Sequence, residues 1–221
     1  MSVISNYSNK YKNDVNFKKK FTLMALGVFF MGFFLSFLIN VSLGTDPCTF
    51  MNVTISERLH ILFGTWQLLL NAVLIVIVII FSRDQIGPGT IANMVFIGYI
   101  ADFFRWVWSK TIPDYVFTTW PYRGAVFALA LIAFVIAASF YMNADMGVAP
   151  YDAMPVIISE RLLKKIPFKF IRMGFDGSIV LIGILFGGRV EIATILMVFL
   201  LGPTITAVGG FINRRILGFN N

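Results

Sequence analysis

The residues with the greatest chemical capacity in this chain are polar side chains set inside long apolar runs. Arg172 and Asp176 are four residues apart, so on a helix they share one face. Gln67 and Asn71 have the same spacing in an earlier apolar run. Ionisable groups at membrane depth are costly and usually functional. Two interpretations stay open: Arg172 holds an anionic group while Asp176 neutralises it, or the two form an internal pair with Arg172 reaching back to water.

The sequence contains few residues that could act as catalytic nucleophiles or acid–base groups. The chain contains one cysteine, Cys48, and one histidine, His60, which leaves no intrachain disulfide, no cysteine-based metal site and almost no acid–base capacity. It also has no Gly-x-Ser-x-Gly elbow, no His-Glu-x-x-His pair and no phosphate-binding loop. We therefore expect a protein that is not an enzyme and that needs no cofactor and no metal.

The composition excludes an ordinary soluble domain. Of 221 residues, 58% are hydrophobic and 13% charged, whereas soluble domains average roughly 45–50% apolar and about 25% charged residues. The net charge of +7 does not indicate a nucleic-acid partner, because cytoplasmic loops of membrane proteins carry excess Lys and Arg. We expect the lipid bilayer as the surrounding partner and a small-molecule solute as a further one, and no nucleic acid.

Six apolar runs approach the roughly 20 residues that a membrane-spanning helix needs. This pattern predicts an all-α polytopic membrane protein with six transmembrane helices. The predicted spans lie near Phe21–Leu43, Thr65–Phe81, Thr90–Trp108, Gly124–Tyr141, Phe170–Gly187 and Ile192–Ile212.

Basic residues fall unequally on the two sides of these spans. Twelve Lys and Arg residues lie on the side of the N-terminus and five on the other side. Since the more basic side faces the cytoplasm, the sequence predicts a multi-pass protein of the inner (cytoplasmic) membrane with both termini in the cytoplasm.

The chain contains an internal repeat. Ser36–Leu59 aligns without a gap on Ser139–Leu162, with 12 identities in 24 positions that include Asn, Pro, Glu and Arg. Each copy holds three spans, an odd number, so the second copy enters the membrane from the opposite side. Inverted repeats of this kind are typical of secondary transporters. The predicted organisation is a polar cytoplasmic tail at 1–20, repeat 1 at 21–109, a connection at 110–123, repeat 2 at 124–213 and a cytoplasmic tail at 214–221.

A short segment follows the first span of each repeat, at Pro47–His60 and Pro150–Leu163. Its 14 residues reach only about 21 Å as a helix, too short to cross the membrane. Proline suits a first helical position, and Asp46 is a good N-cap. Each segment is either a helix in the membrane interface or a re-entrant half-helix packed against protein. In both forms the N–H groups at the helix start favour an anion.

Several of these features resemble one known family. Leu43-Gly44-Thr45-Asp46-Pro47, its second copy Met146-Gly147-Val148-Ala149-Pro150, and Gly89-Thr90 at the entry of the third span are similar to the YczE/YitT-like family of bacterial integral membrane proteins. The resemblance covers nearly the whole chain after residue 20. It implies a multi-span inner-membrane protein of largely unassigned biochemical function.

Two functions are consistent with these patterns. The first is a carrier or permease-like protein that binds a small solute, with an anion among the candidates, between the two inverted repeats. The second is a non-transporting membrane scaffold or regulatory module for lipids or partner proteins. Asn40 and Asn143 occupy matching positions and serve either the ligand or interhelical packing. The candidate binding residues are Asn40, Asp46, Gln67, Asn71, Asn143, Asp152, Arg172 and Asp176.

Overall fold

The computed structural model describes residues 16–199, which form helices and turns and contain no strand. A 3-10 turn, Arg83–Gln85, and one π-helical turn, Ile158–Leu162, accompany the helices. The α-helices are α1 (Phe17–Val41), α2 (Pro47–Arg58), α3 (Phe63–Phe81), α4 (Pro88–Thr111), α5 (Tyr115–Thr118), α6 (Tyr122–Asn143), α7 (Pro150–Ile157), α8 (Phe168–Leu185) and α9, helical over 192–199.

Every predicted span coincides with a helix in the described residues, the last one only over 192–199. Within residues 16–199, three helices rather than six are long and apolar enough to cross a membrane: α1, α3 and α6. The helices α4 and α8 each carry three charged residues and are less apolar than α1, α3 and α6. Most of the predicted N-terminal tail, the end of the sixth span and the C-terminal tail lie outside the described residues.

Apolar side chains cover much of the outer surface of these helices. On α3, Leu69, Val73, Val76 and Ile80 are all more than half exposed and recur at helical spacing. A water-facing helix would place polar residues there, because soluble proteins rarely expose large contiguous apolar patches. The exposed face of α3 therefore suits contact with lipid.

The helix α1 is the central packing element. It packs against α6 and α4. A Cβ atom on Gly27 would lie 2.6 Å from the backbone nitrogen of Tyr141, and one on Gly32 would lie 2.9 Å from the carbonyl oxygen of Ile97. Small residues at these two positions let α1 approach α6 and α4 closely, as is common between membrane helices.

The two short helices pack mainly against helices of the other half of the chain. The helix α2 packs against α8, and α7 packs against α3. Seven of the twelve residues of α2 are buried, including Asn52 and Ser56 from its polar face. Burial on both faces fits the packed alternative for α2 better than a helix lying in the membrane interface.

The corners that precede α2 and α7 have the same backbone conformation. Gly44 and Gly147 have φ angles of +113° and +95°, which residues with a Cβ rarely adopt. Ser42 and Asp145, two residues earlier in each copy, have φ angles of 51° and 52°. The short Gly-x-x-Pro pattern thus predicts a sharp turn whose geometry recurs 103 residues later.

Each corner also packs onto the start of a distant helix. The Thr45 amide donates to Thr194 Oγ1 at 3.2 Å, whereas the Gly89 amide donates to the Met146 carbonyl at 2.7 Å. A Cβ on Gly147 would lie 2.6 Å from Thr90 Oγ1. The first corner therefore contacts the start of α9, and the second contacts the start of α4.

Candidate functional site

A cavity of about 290 Å³ lies where α1, α2, α3, α4, α6, α7 and α8 meet. Its volume is just below the range of roughly 300–1,000 Å³ for small-molecule pockets. The starts of both short helices open onto it, while Arg58 at the end of α2 and Arg161 in the π-helical turn after α7 are exposed. Its polar lining residues are Asp46, Cys48, Thr49, Gln67, Asn71, Gln85, Asn93, Tyr141, Tyr151, Asp152 and Arg172.

The start of α2 brings Asp46 and Cys48 to the cavity. The connection from α1 turns at Gly44, and Pro47 occupies the first helical position of α2. As predicted, Asp46 is the N-cap of α2: its Oδ1 accepts a hydrogen bond from the Thr49 amide at 3.0 Å. Asn52 Nδ2, on the next turn of α2, donates a hydrogen bond to Cys48 Sγ at 3.4 Å.

A network of charged groups joins α7 to α8 beside the cavity. Arg172 Nε donates to Asp176 Oδ2 at 3.0 Å, which agrees with the internal-pair interpretation. Arg172 Nη1 donates to Asp152 Oδ1 at 2.9 Å, and the Tyr151 hydroxyl donates to Asp176 Oδ1 at 2.7 Å. The guanidinium carbon lies 5.6 Å from the centre of the Tyr151 ring. Arg172 is therefore held by two carboxylates and an aromatic ring.

Two buried polar groups in the cavity wall lack a hydrogen-bond partner among the described residues. They are Asn71 Oδ1 on α3 and the Tyr141 hydroxyl on α6. Asn71 is 4% exposed and Tyr141 is 1% exposed. A buried polar group without a partner costs about 1–3 kcal/mol. Such groups call for an explanation, and a bound polar ligand is one that fits a cavity.

Five of the eight candidate residues line the cavity, one lies behind its lining and two lie elsewhere. Asp46, Gln67, Asn71, Asp152 and Arg172 line the cavity, although they come from four separate parts of the chain. Asp176 lies behind this surface, bonded to both Arg172 and Tyr151.

The two matching asparagines lie elsewhere. Asn40 Oδ1 accepts from Arg105 Nε at 3.3 Å, and Asn143 Nδ2 donates to the Ser139 carbonyl at 2.8 Å within its own helix. Neither lines the cavity. The Asn40 contact fits the interhelical packing alternative, whereas the Asn143 hydrogen bond lies within α6.

Sequence reasoning missed Tyr141, which it placed at the end of the fourth span, where interfacial tyrosines are common. The only available signal is spacing: Phe134, Ala138 and Tyr141 share one face of α6, and all three line the cavity. Nothing in that spacing distinguishes a cavity wall from ordinary helix packing.

Other charged residues have structural contacts. Asp102 Oδ2 accepts from the Gly64 amide at 2.7 Å and so satisfies a free N–H at the start of α3. Arg161 Nη2 donates to the Phe81 carbonyl at 3.1 Å, at the opposite end of the same helix. Both ends of α3 are thus fixed by side chains from other helices.

Apolar helices, a lipid-compatible surface and a cavity lined by both apolar and polar side chains define a helical membrane protein. The chain belongs to DUF6198, a family of unknown function, whose model matches residues 18–209. It is 24% identical over 184 residues to the "Uncharacterized membrane protein YczE" of Bacillus subtilis (strain 168), a match that covers 83% of this chain and 82% of YczE. The resemblance to YczE-like proteins is confirmed.

A second relative matches the chain over nearly its whole length. The chain is 23% identical over 202 residues to the "Uncharacterized protein YyaS" of Bacillus subtilis (strain 168), covering 91% of this chain and 98% of YyaS. No solved structure gives a significant match.

Proposed function

We propose that this protein is a carrier or permease of the cell membrane that binds a small polar solute in the cavity between two inverted three-helix repeats. The observation that carries the proposal is the pair of unpartnered polar groups, on Asn71 and Tyr141, in the wall of that cavity. In a carrier, a solute that hydrogen-bonds to these groups offsets the cost of burying them.

The contacts between the two halves support an inverted repeat. The short helix of each half packs against the second long helix of the other half, α2 against α8 and α7 against α3. The two corners share one backbone conformation, and they pack against Thr194 and Thr90, which match when the sequence is shifted by 104 residues. Reciprocal contacts of this kind are expected when two copies are related by an approximate two-fold axis.

The short helices supply a further feature of carriers. Both begin at the cavity; α2 ends at the exposed Arg58, and α7 continues into a π-helical turn that contains the exposed Arg161. Under this proposal each is a re-entrant half-helix. Many transporters build their sites at the starts of such interrupted helices, at the interface of their repeats. The same scheme has both termini in the cytoplasm and assigns the chain no enzymatic activity.

The experiment uses Cys48, the only cysteine of the chain, as a reporter in the cavity wall. Right-side-out and inside-out membrane vesicles are treated with a small membrane-impermeant thiol reagent, 2-(trimethylammonium)ethyl methanethiosulfonate. A carrier opens its site to each side in turn, so Cys48 should react in both vesicle types.

Two side markers control the orientation of the vesicles. In a Cys48→Ser background, Ser109→Cys and Lys164→Cys each add an exposed thiol, the first on the outer side and the second on the cytoplasmic side. Each marker should react in one vesicle type only. Reaction of Cys48 from one side only, or from neither, would reject the carrier and favour the scaffold alternative, for which the excess of cytoplasmic basic residues offers anionic lipid as a partner.

A further inference from the structure

We propose that the cavity selects a positively charged organic solute, such as one bearing an ammonium or guanidinium group. The inference rests on the proposed function, since it names the class of solute for the same cavity. It reverses the expectation of an anion, which depended on Arg172 and on the N–H groups at the starts of the short helices.

The charges around the cavity favour a cation. Asp46 and Asp152 line it, and Asp176 lies immediately behind Arg172. Three carboxylates and one guanidinium therefore lie in or directly behind the cavity wall, and with all of them ionised their formal charges sum to −2. Charged side chains at membrane depth are costly, so an uncompensated negative charge is expected to have a positive partner.

Arg172 is poorly placed to hold an anion. Its Nε and Nη1 already donate to Asp176 and Asp152, at 3.0 and 2.9 Å, and its guanidinium group lies beside the Tyr151 ring. An incoming anion would compete with two carboxylates that are fixed nearby. Breaking a buried ion pair of this kind leaves an uncompensated charge and is strongly unfavourable.

The partial positive charges at the starts of α2 and α7 are also compensated by carboxylates of this chain. Asp46 is the N-cap of α2, and Asp152 lies in the first turn of α7. A carboxylate at either position offsets the partial positive charge of a helix N-terminus, about half an elementary charge. With all three carboxylates ionised, their formal sum with Arg172 of −2 exceeds the charge of the two helix ends, about +1 together, so the cavity stays negative.

The remaining lining groups match a cation that carries N–H donors. Asn71 Oδ1 accepts hydrogen bonds and does not donate them. The rings of Phe134, Tyr141 and Tyr151 lie in the same wall, and aromatic faces attract ammonium and guanidinium groups. Within residues 16–199 no three His, Cys, Asp or Glu side chains are grouped closely enough to hold a metal ion, which favours an organic cation.

Cys48 reports the sign of the local potential without knowledge of the solute. Asp46, Asp152, Asp176 and Arg172 all lie within electrostatic range of its thiol. In detergent, the rate of Cys48 modification by aminoethyl methanethiosulfonate, a cation, is divided by the rate with sulfonatoethyl methanethiosulfonate, an anion. Any influence of the site on thiol ionisation acts on both rates and cancels in the ratio.

The reference is the same ratio measured on Ser109→Cys in a Cys48→Ser background. We expect the ratio at Cys48 to exceed this reference by about tenfold or more, because a unit charge a few ångströms away acts on the two reagents with opposite sign. Asp46→Asn should lower the ratio toward the reference while keeping an N-cap acceptor. Asp114→Asn, at an exposed loop residue remote from the cavity lining, is the matched control and should leave the ratio unchanged.

A second measurement applies whether or not Cys48 reacts. Thermal unfolding of the intact protein is followed with methylguanidinium and ethylammonium chloride, and with sodium acetate and propionate at equal ionic strength. The cations should raise the melting temperature, and Asp46→Asn should reduce that rise. A ratio at or below the reference, or stabilisation by the anions alone, would overturn the inference.

The outcomes separate the two proposals. Cation selectivity with Cys48 accessible from one side only would keep this inference and reject the carrier. Accessibility from both sides with a preference for anions would keep the carrier and reject this inference.

Discussion

Two buried tyrosines beside the cavity should respond in opposite ways to the same substitution. The Tyr151 hydroxyl donates to Asp176 Oδ1 at 2.7 Å, whereas the Tyr141 hydroxyl has no partner among the described residues. Their side chains are comparably enclosed, at 6% and 1% exposed. Replacing each by phenylalanine removes one oxygen atom and leaves the ring.

The magnitudes follow from these contacts. A hydrogen bond to a charged group contributes about 1.5–3 kcal/mol, so Tyr151→Phe should lower the free energy of unfolding by about 2 kcal/mol. A buried hydroxyl without a partner costs about 1–3 kcal/mol, so Tyr141→Phe should raise the free energy of unfolding by about 1 kcal/mol. For a chain of this size 1 kcal/mol corresponds to roughly 2–4 °C in melting temperature.

The assay is thermal unfolding in detergent, followed by the fluorescence of the four tryptophans. We expect a fall of about 4–8 °C for Tyr151→Phe and a rise of about 2–4 °C for Tyr141→Phe. Tyr99→Phe is the matched control: its hydroxyl is 3.5 Å from Thr65 Oγ1 at an exposed site, and it should shift the midpoint by less than either.

The same variants test the role of the cavity. Tyr141→Phe should weaken the stabilisation by methylguanidinium even though it stabilises the empty protein, because a binding group is held at a cost in stability. Equal destabilisation by Tyr141→Phe and Tyr151→Phe would refute the reasoning, since it would mean that both hydroxyls have partners in the empty protein.

Three further predictions follow from the turns, the helix ends and the carboxylates. Gly147→Ala should destabilise the protein by more than about 1 kcal/mol, because the φ angle of Gly147 is +95° and the added Cβ has no room. Gly174→Ala is the control: a Cβ there would meet no atom within 4 Å, so this variant should be as stable as the parent protein or more stable. Both are measured by thermal unfolding. Asp102→Ala should cost roughly 0.5–2 kcal/mol by removing the acceptor for the Gly64 amide, with faster hydrogen exchange at the start of α3; unchanged exchange there would contradict the assignment. Acidification should weaken binding of methylguanidinium, because protonation of a carboxylate such as Asp46 removes the charge that attracts it; affinity that rises as the pH falls would count against a cationic solute.

Local features of the fold were predictable from the sequence. The apolar runs located the long helices because burial in lipid demands a nearly continuous apolar segment. The Gly-x-x-Pro pattern and Asp46 located the start of α2, since the turn, the N-cap and the first helical residue are all decided within a few residues. The contact between Arg172 and Asp176 followed from the geometry of one helix.

The composition of the site was only partly predictable. Asn40 and Asn143 match in the repeat, yet one accepts from Arg105 and the other donates to its own helix. Gln67 and Asn71 reach the cavity because α3 packs there against α7 and α4. Such differences depend on which helices become neighbours, and a repeat alignment contains no record of that.

The sequence by itself determined a helical membrane protein, the start of its first short helix and one ion pair, because helical periodicity and hydropathy act over short distances. Only the tertiary structure decided that Arg172 also bonds Asp152 and that Asp46 lies at the same cavity. These carboxylates come from different segments, and they change the expected solute from an anion to a cation. Charge acts through space, so the sign of the site is settled by which segments the fold brings together.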